Sequence, residues 1–547
     1  RQFLGEGEED DEDIGVRGDI RMGSGDDTID VSAGAINGDL YFGDGADTLM
    51  VSGTARVSTS LNDSDGDLSI QASGGDLEIL NTETATIREA TFGDGSRLIF
   101  QVDLAPTNAP LLDVSETATF GAGSRVTASL SNLIGEGSSY IVLRANSLVI
   151  DEALTELENT DAPYLYASTL SRDANDNDTL ILTLRRRTAN ELGMHSNQGV
   201  AYNAAFQTWE DNSDLGAAFA SLTNAQDFFA AYDQLMPEYS ASAIQFAIAS
   251  NDSTIGALSN RLDAARRSPD STGGLWVQEF GYFADRAANS FGPGYRGHGV
   301  GVAAGIDRPA GPFYSVGLNL VGAASEIAES NGVDQPMTAL TGQFGGYGGF
   351  EVAGFTGDFY AGAGIDRFES ERRVLIGTFD QTATAEWTGY HYSASARFGR
   401  DLEMGRWYAR PAVSIDYLRL FESSFEETGG GVGIDLNVDD RETQTFSSTA
   451  SFTVGGRFGD SDSWWAPQFR IGYRNELGGI DSDTTATFAG YNNPFTFQAE
   501  DLPGSGVILG FGVQAGSDYS TFSFDYDADL REGFVRHTAR LVVRLVF

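Results

Sequence analysis

A chain of 547 residues with 67 glycines, 13 prolines and 41% hydrophobic residues is long enough for two or three folded domains rich in strands and turns. Its 79 acids against 34 bases, all of them arginine, leave a formal net charge of −45. That balance argues against nucleic acid, which needs a basic footprint, and against docking on anionic lipid. With no cysteine, disulfide frameworks, thiolate catalysis and Cys-type zinc sites are excluded together.

No run of about 18 apolar residues occurs, so a transmembrane helix is excluded, whereas alternating barrel strands would leave no such run. The chain opens on Arg1 without an apolar signal region, as expected if a signal has been removed or if a longer product continues upstream. Residues 1–13 end in an acidic run and read as a solvated terminus. The segments Gly23-Ser24-Gly25-Asp26-Asp27-Thr28-Ile29 and Gly43-Asp44-Gly45-Ala46-Asp47-Thr48-Leu49 then repeat one another a rung of about 20 residues apart. Short strands between polar turns continue to Phe100, so 14–105 reads as the last rungs of a parallel β-helix. Both copies fit the calcium turn G-x-G-x-D-x-U, with Asp27 and Asp47 as candidate ligands, although such turns bind calcium when repeated every nine residues; turn formation is the plainer reading. Strands such as Tyr140–Leu143 and Thr179–Leu184 make 106–187 a cap over the last rung.

At Thr188 the period changes to helical. Residues 188–237 read as short linker helices, and Pro237 separates them from a helix over 238–267, within a segment 238–272. Thirty residues span about 45 Å. Polar positions such as Gln245, Asn251, Asp252, Asn260, Arg261, Asp263, Arg266 and Arg267 would be rejected by lipid and accepted by a polar pore.

From 273 to 547 the period is two. Phe522, Phe524 and Tyr526 alternate with Ser523, Asp525, Asp527 and Asp529, and Val300, Val302, Ala304 and Ile306 alternate with Gly299, Gly301, Ala303, Gly305 and Asp307. Such segments start near 275, 297, 312, 338, 356, 386, 407, 445, 464, 505, 520 and 535, an even number suited to a closed antiparallel barrel. The final stretch places Val535, His537, Ala539, Leu541, Val543, Leu545 and Phe547 on one face and Arg536, Thr538, Arg540 and Arg544 on the other. The expected fold is mostly β: a 12-stranded transmembrane barrel holding a pore-spanning helix, preceded by a parallel β-helix.

Trp276, Gly305-Ile306-Asp307-Arg308, Pro411 with Tyr417 and Phe421, the run Pro467 to Glu476, the loop Phe488 to Phe497, His537 and the terminal Phe547 together resemble the β-domain of type V secretion autotransporters. The resemblance covers the barrel and its helix, extends to 106–187 as an autochaperone-like passenger end, and touches the first hundred residues only in style. It implies a Gram-negative outer-membrane protein in contact with lipid. Its last strand (Leu541, Val543, Leu545, Phe547) would be recognised by barrel-assembly machinery, and its passenger would cross C-terminal end first and be displayed on the cell surface. No cofactor or nucleotide is implied, and the passenger's ligand is unknown. Some members of the family cut their pore helix at an Asn-Asn bond; the nearest counterpart is Asn251-Asp252, with Asp307 or Glu476 as helpers.

The residues themselves favour pairing of Arg261, Arg266 and Arg267 with lumen acids such as Asp366, Asp416, Asp525 and Asp527, with Arg470 and Arg474 as competing cations. His195, His298, His391 and His537 lie far apart, and Gly459-Asp460-Ser461 lacks the leucine of an esterase motif, so the chain is not expected to be an enzyme. The rival readings are a permanently anchored adhesin or envelope subunit, the anchor of an enzymatic passenger lying before Arg1, and an open diffusive porin.

Overall fold

The structure is a computed structural model that describes residues 15–103, 108–135, 137–151, 162–237, 242–267, 274–288, 294–330, 336–460, 463–480, 483–498, 504–517 and 520–545. The acidic run 1–13, the start of the pore helix at 238–241 and Phe547 lie outside the described residues, as do the side chains of Arg267, Arg544 and Leu545. Two compact units are present, one built mainly from residues before Met194 and one containing the long helix and the barrel.

In the first unit the strands Gly15–Arg17, Ala35–Asn37, Thr48–Thr59, Ser69–Ile79, Glu89–Phe92, Leu112–Phe120 and Ser138–Ile150 stack in that order. Each pairs in parallel with the next. Because every rung has the same apolar alternation, like side chains fall in line: Ile29, Leu49, Ile70, Ala90, Ala118 and Leu148 form one inward row, and all are buried. Phe92 and Phe120 stack at 4.9 Å between centroids. The repeat is 20 residues at Gly15 opposite Ala35, and it has lengthened by the time Ala90 faces Ala118.

The expected boundary of the cap needs correction, since parallel stacking runs through Ile150 instead of ending near 105. Leu112, Val114, Ala118 and Phe120 still point inward, so this segment remains a rung. Antiparallel closure begins where Ser138–Ile150 pairs with Thr179–Arg186, which in turn pairs with Tyr166–Arg172. These two antiparallel strands cover the last parallel rung, in the manner of a cap on a stack.

The helical segment contains α1 Ala189–Leu192, α2 Ser196–Asp211, α3 Ser213–Ala220, α4 Ala225–Asp233 and α5 Ser242–Arg267. Thr188 and Glu191 form a capping box at the start of α1. Hydrogen bonds from Arg185 and then from Thr188 hold the Glu191 carboxyl at about 2.

Twelve strands close the barrel: Gly274–Arg286, Tyr295–Ala310, Phe313–Glu329, Pro336–Val352, Phe355–Ile376, Phe379–Arg400, Trp407–Glu422, Arg441–Gly456, Trp464–Ile480, Gly506–Gly516, Ser520–Arg531 and Phe534–Leu545. Neighbours in sequence pair antiparallel, and Gln278 to Arg286 of the first strand pair with Val542 to Phe534 of the last. The sixth strand starts at Phe379 instead of near 386, and the eighth at Arg441 instead of near 445. In the sixth the early outward positions are Thr384 and Glu386, so no apolar face marks the extension.

The connections 311–312, 353–354 and 405–406 are tight turns, with Ala353 and Gly354 at φ 50° and 76°. At the other end, two long connections carry a small sheet of Phe425–Glu426, Leu436–Val438, Thr484–Phe488 and Phe495–Phe497. Short turns mark the periplasmic rim of such barrels and long loops the outer rim. Outward positions include Leu275, Val300, Ile306, Leu320, Leu340, Ile365 and Val543, all well exposed, while Arg536, Thr538 and Arg540 of the last strand are buried inside. Leu541 and Val543 face outward at 38% and 60% exposure.

Leu320→Arg places a cation on the apolar wall and is expected to cost about 2–4 kcal/mol, read as a smaller folded fraction on refolding into vesicles. A folded fraction equal to that of the unaltered chain would place this face away from lipid.

Candidate functional site: the helix-filled pore

α5 lies inside the barrel because its two long faces match different parts of the wall. Near its start Ala243, Ile244, Phe246, Ala247 and Ile248 pack against Phe368, Trp387, Leu418, Leu420 and Phe534. Two turns further on, Ala257, Leu258 and Leu262 pack against Trp276, Phe280, Tyr347 and Tyr360 of the first, fourth and fifth strands. None of the described helices is long and apolar enough to cross a membrane by itself.

The opposite face of α5 is ionic. Asp252 and Asp263, eleven residues or three turns apart, share one side of the helix. Asp252 accepts from Arg474 Nη1 at 2.6 Å and from Arg536. Asp263 accepts from Arg410 Nη1 at 2.6 Å and from Arg397 Nη2 at 3.1 Å. Asn260 Nδ2 donates to Asp525 Oδ2 at 2.9 Å between them. Gly256 occupies the same stretch, and a Cβ there would stand 2.5 Å from the Arg540 guanidinium. A side chain there would push the last strand's arginine off the helix backbone.

Arg261 takes the other side. Its Nε and Nη2 grip both oxygens of Asp307 at 2.6 and 2.5 Å. Tyr347 donates its hydroxyl to Asp307 at 2.8 Å while accepting from Trp276 Nε1 at 2.6 Å. The side chains of Arg261 and Asp307 are 6% and 1% exposed, so this is a desolvated bidentate pair with its remaining acceptor sites used.

The pairing therefore differs from expectation. Arg261 meets Asp307, and Arg266 meets Asp401 at 2.7 Å; neither reaches the acids first assigned to it. Three of those acids are held by the wall, and Asp525 is shared between the wall and Asn260 of the helix. Asp527 is held by Arg470 and Arg540, Asp366 by Thr341 and His391, and Asp416 by Ser395 and Ser414. Asp525 also accepts from Gln468. For Asp366, Asp416 and Asp527, wall side chains at the same level lie closer than any arginine of the helix.

Asn251 is buried, and its Oδ1 lacks a hydrogen-bond partner. A small cavity beside it is lined by Asp416, Tyr417, Thr445 and Ser447. Asp307 stands at Arg261, ten residues or about 15 Å further along the helix, and does not reach Asn251. Glu476 is occupied by Thr445, Arg474 and Arg531. The acids that line the small cavity beside Asn251 are Asp252 and Asp416. Asp27 and Asp47 lie apart from this site in the first unit, where Asp47 Oδ1 accepts the Asp27 backbone N–H at 2.7 Å.

Between the ionic face of α5 and the wall lies a cavity of about 180 Å³, a polar space suited to ordered water. With α5 seated in the lumen, the open pore of a diffusive porin is replaced by a helix-filled one.

An antiparallel twelve-stranded barrel, apolar outside and occupied by a polar helix, defines an outer-membrane β-barrel with an internal segment. Residues 275–529 match the family profile described as Autotransporter beta-domain, and this match supports an outer-membrane translocator role for that part of the chain. Similar solved structures include the translocator domain of the autotransporter NalP from Neisseria meningitidis, with 14% identity over 55% of this chain and 99% of that one, at a TM-score of 0.42. Another is the beta domain of the Bordetella autotransporter BrkA, with 17% identity over 51% and 100%, at 0.37. A third is the transport unit of AIDA-I from Escherichia coli, with 9% identity over 50% and 90%, at 0.34. No curated protein matches the chain.

Arg261→Met removes one partner of the buried pair and is expected to cost about 3–5 kcal/mol, raising ion conductance in planar bilayers as the helix loosens. Adding Asp307→Leu should restore most of the closed behaviour, because the orphaned charge is gone. A double variant as leaky as the single one would refute this account of the pair.

Proposed function

We propose that this chain carries residues 15–187 across the outer membrane and keeps them at the cell surface, attached through α5. The supporting observation is the seating of α5, which is fixed by apolar contacts on one face and by Asp252, Asp263 and Arg261 to the wall on the others. A segment whose Asp252, Arg261, Asp263 and Arg266 are paired inside the lumen costs several kcal/mol to withdraw, as buried pairs do when separated. This favours a passenger that stays attached through α5 for as long as the backbone joining them is intact. On this reading the barrel contacts outer-membrane lipid, its last strand is handed to the membrane by assembly machinery, and the displayed stack meets a ligand outside the cell. The antiparallel strands Tyr166–Arg172 and Thr179–Arg186 would emerge first and give the rungs a template on which to stack.

Outer membranes run on a gel with and without boiling, with N-terminal sequencing of each band, test the reading. One heat-modifiable species that includes the parallel stack is expected. A separate band of roughly 30 kDa whose sequence starts at Asp252 would overturn permanent attachment and make Asn251 the nucleophile of a cleavage.

A further inference from the structure

The backbone passes between the two units more often than a single linker requires. His195–Ala205 and Tyr232–Leu375 belong to the unit of the barrel, whereas Phe206–Ala231, lying between them in sequence, belongs to the unit of the parallel stack. α2 is therefore divided after Ala205 and α4 after Ala231. The hairpin tip Ile376–Phe379, between the fifth and sixth strands, is a further crossing into the first unit. We propose that residues 195–205 and 225–231 are reciprocally exchanged segments, a clasp that keeps the two units associated after the backbone between those segments is cut.

Each segment is built into the unit that holds it. In the barrel unit Asn197 is 3% exposed; its Nδ2 donates to the Gln498 carbonyl at 3.1 Å, and its Oδ1 accepts the Gln498 N–H at 2.9 Å. Gln498 directly follows the strand Phe495–Phe497 of the small outer sheet, so a side chain of α2 makes the pair of bonds that a neighbouring strand would make. Gln198 Nε2 donates to Asp233 Oδ1 at 2.6 Å, and the Tyr232 hydroxyl donates to the Gln198 carbonyl at 2.7 Å. Gln234 is tied in turn to the fifth strand. Arg372 Nη1 donates to its carbonyl at 2.9 Å, and its Oε1 accepts the Leu375 N–H at 2.7 Å. Ala201, Tyr202, Ala205 and Tyr232 are all buried.

In the first unit the other segment supplies two aromatic anchors. Phe228 is 0% exposed, with ring centroids of Tyr164 at 5.3 Å and Phe219 at 6.0 Å, and Phe229 lies 6.3 Å from Tyr164. The connection 221–224 between α3 and α4 separates the two sets of partners in sequence, and Thr223 and Asn224 are exposed there. Asn197, Tyr164 and Phe219 precede it, while Gln498, Asp233 and Phe228 follow it. A cut at 223–224 thus leaves the first fragment with 195–205 seated in the barrel unit, and the second with 225–231 seated in the first unit. Separation would strip a buried amide of both partners and expose a buried aromatic side chain. This goes beyond attachment through α5, which requires an unbroken backbone; its use to the cell rests on display of the stack at the surface.

A protease recognition sequence inserted between Thr223 and Asn224 of the full chain, cut in detergent and followed by size-exclusion chromatography, tests the clasp. The insertion spares Asn224, whose Oδ1 accepts the Asp227 N–H at the start of α4. The two fragments are expected to co-elute until denaturant is added. Asn197→Leu removes both bonds to Gln498 at similar side-chain size, and Phe228→Ala independently empties the site in the first unit. Each is expected to speed separation of the fragments about tenfold or more. Prompt separation of the cut chain without either substitution would overturn the proposal, and so would separation no faster in both variants than without them. Because detergent replaces the membrane, the result is independent of surface display, which cutting of the inserted site on intact cells reads separately.

Discussion

The pore depends on charge matching between a helix and the wall around it. α5 is too polar for lipid and its barrel too wide to close on its own side chains, so each is incomplete without the other. The matching is directional. The arginines that line the cavity beside α5, Arg397, Arg410, Arg470, Arg474, Arg536 and Arg540, lie on the sixth to twelfth strands, and Asp252 and Asp263 turn toward that half. Asp307 on the second strand faces the helix's own cation, Arg261. Rotating the helix by half a turn would set Arg261 among arginines and its aspartates against Trp276 and Tyr347. The pairs Arg261–Asp307, Asp252–Arg474 and Asp263–Arg410 thus fix the helix's rotation, and the apolar patches fix its depth.

Much of this was legible in the sequence, for a physical reason: a strand with lipid on one side and water on the other cannot hide its period. Twelve segments, their inward and outward faces and the helix after Pro237 follow from alternation alone. The strand ends were harder. Beyond the lipid, Thr384 and Glu386 face water outside while Ala383 and Ala385 face inward, so the sixth strand continues where the signal has faded. The partners of individual charges were not legible, because period gives a residue's face and leaves its height on the wall open. The spacing of Asp252 and Asp263 did contain the clue that one face of the helix is anionic. Arg261 breaks that pattern nine residues after Asp252, on the opposite side.

The parallel stack shows the same limit. Copies at 23–29 and 43–49 announce the rung length, but the rungs lengthen downstream and sequence self-similarity disappears while the stacking persists to Ile150. Stacking needs only an inward apolar row, which Leu112, Val114, Ala118 and Phe120 supply without repeating any motif. Repetition is sufficient evidence for a rung and not necessary for one.

The contact of Arg540 with Gly256 constrains chronology. Arg540 and Arg536 belong to the strand that zips the cylinder shut, and both lie on the helix, one across its backbone and one on Asp252. A cylinder sealed first would present a finished ring through which a charged rod must be threaded past its own guanidinium groups. Wrapping the wall around a rod already in place meets no such obstacle, and the seam then closes in the only register that satisfies the rod. The helix is in this sense the mandrel on which the last strand is set.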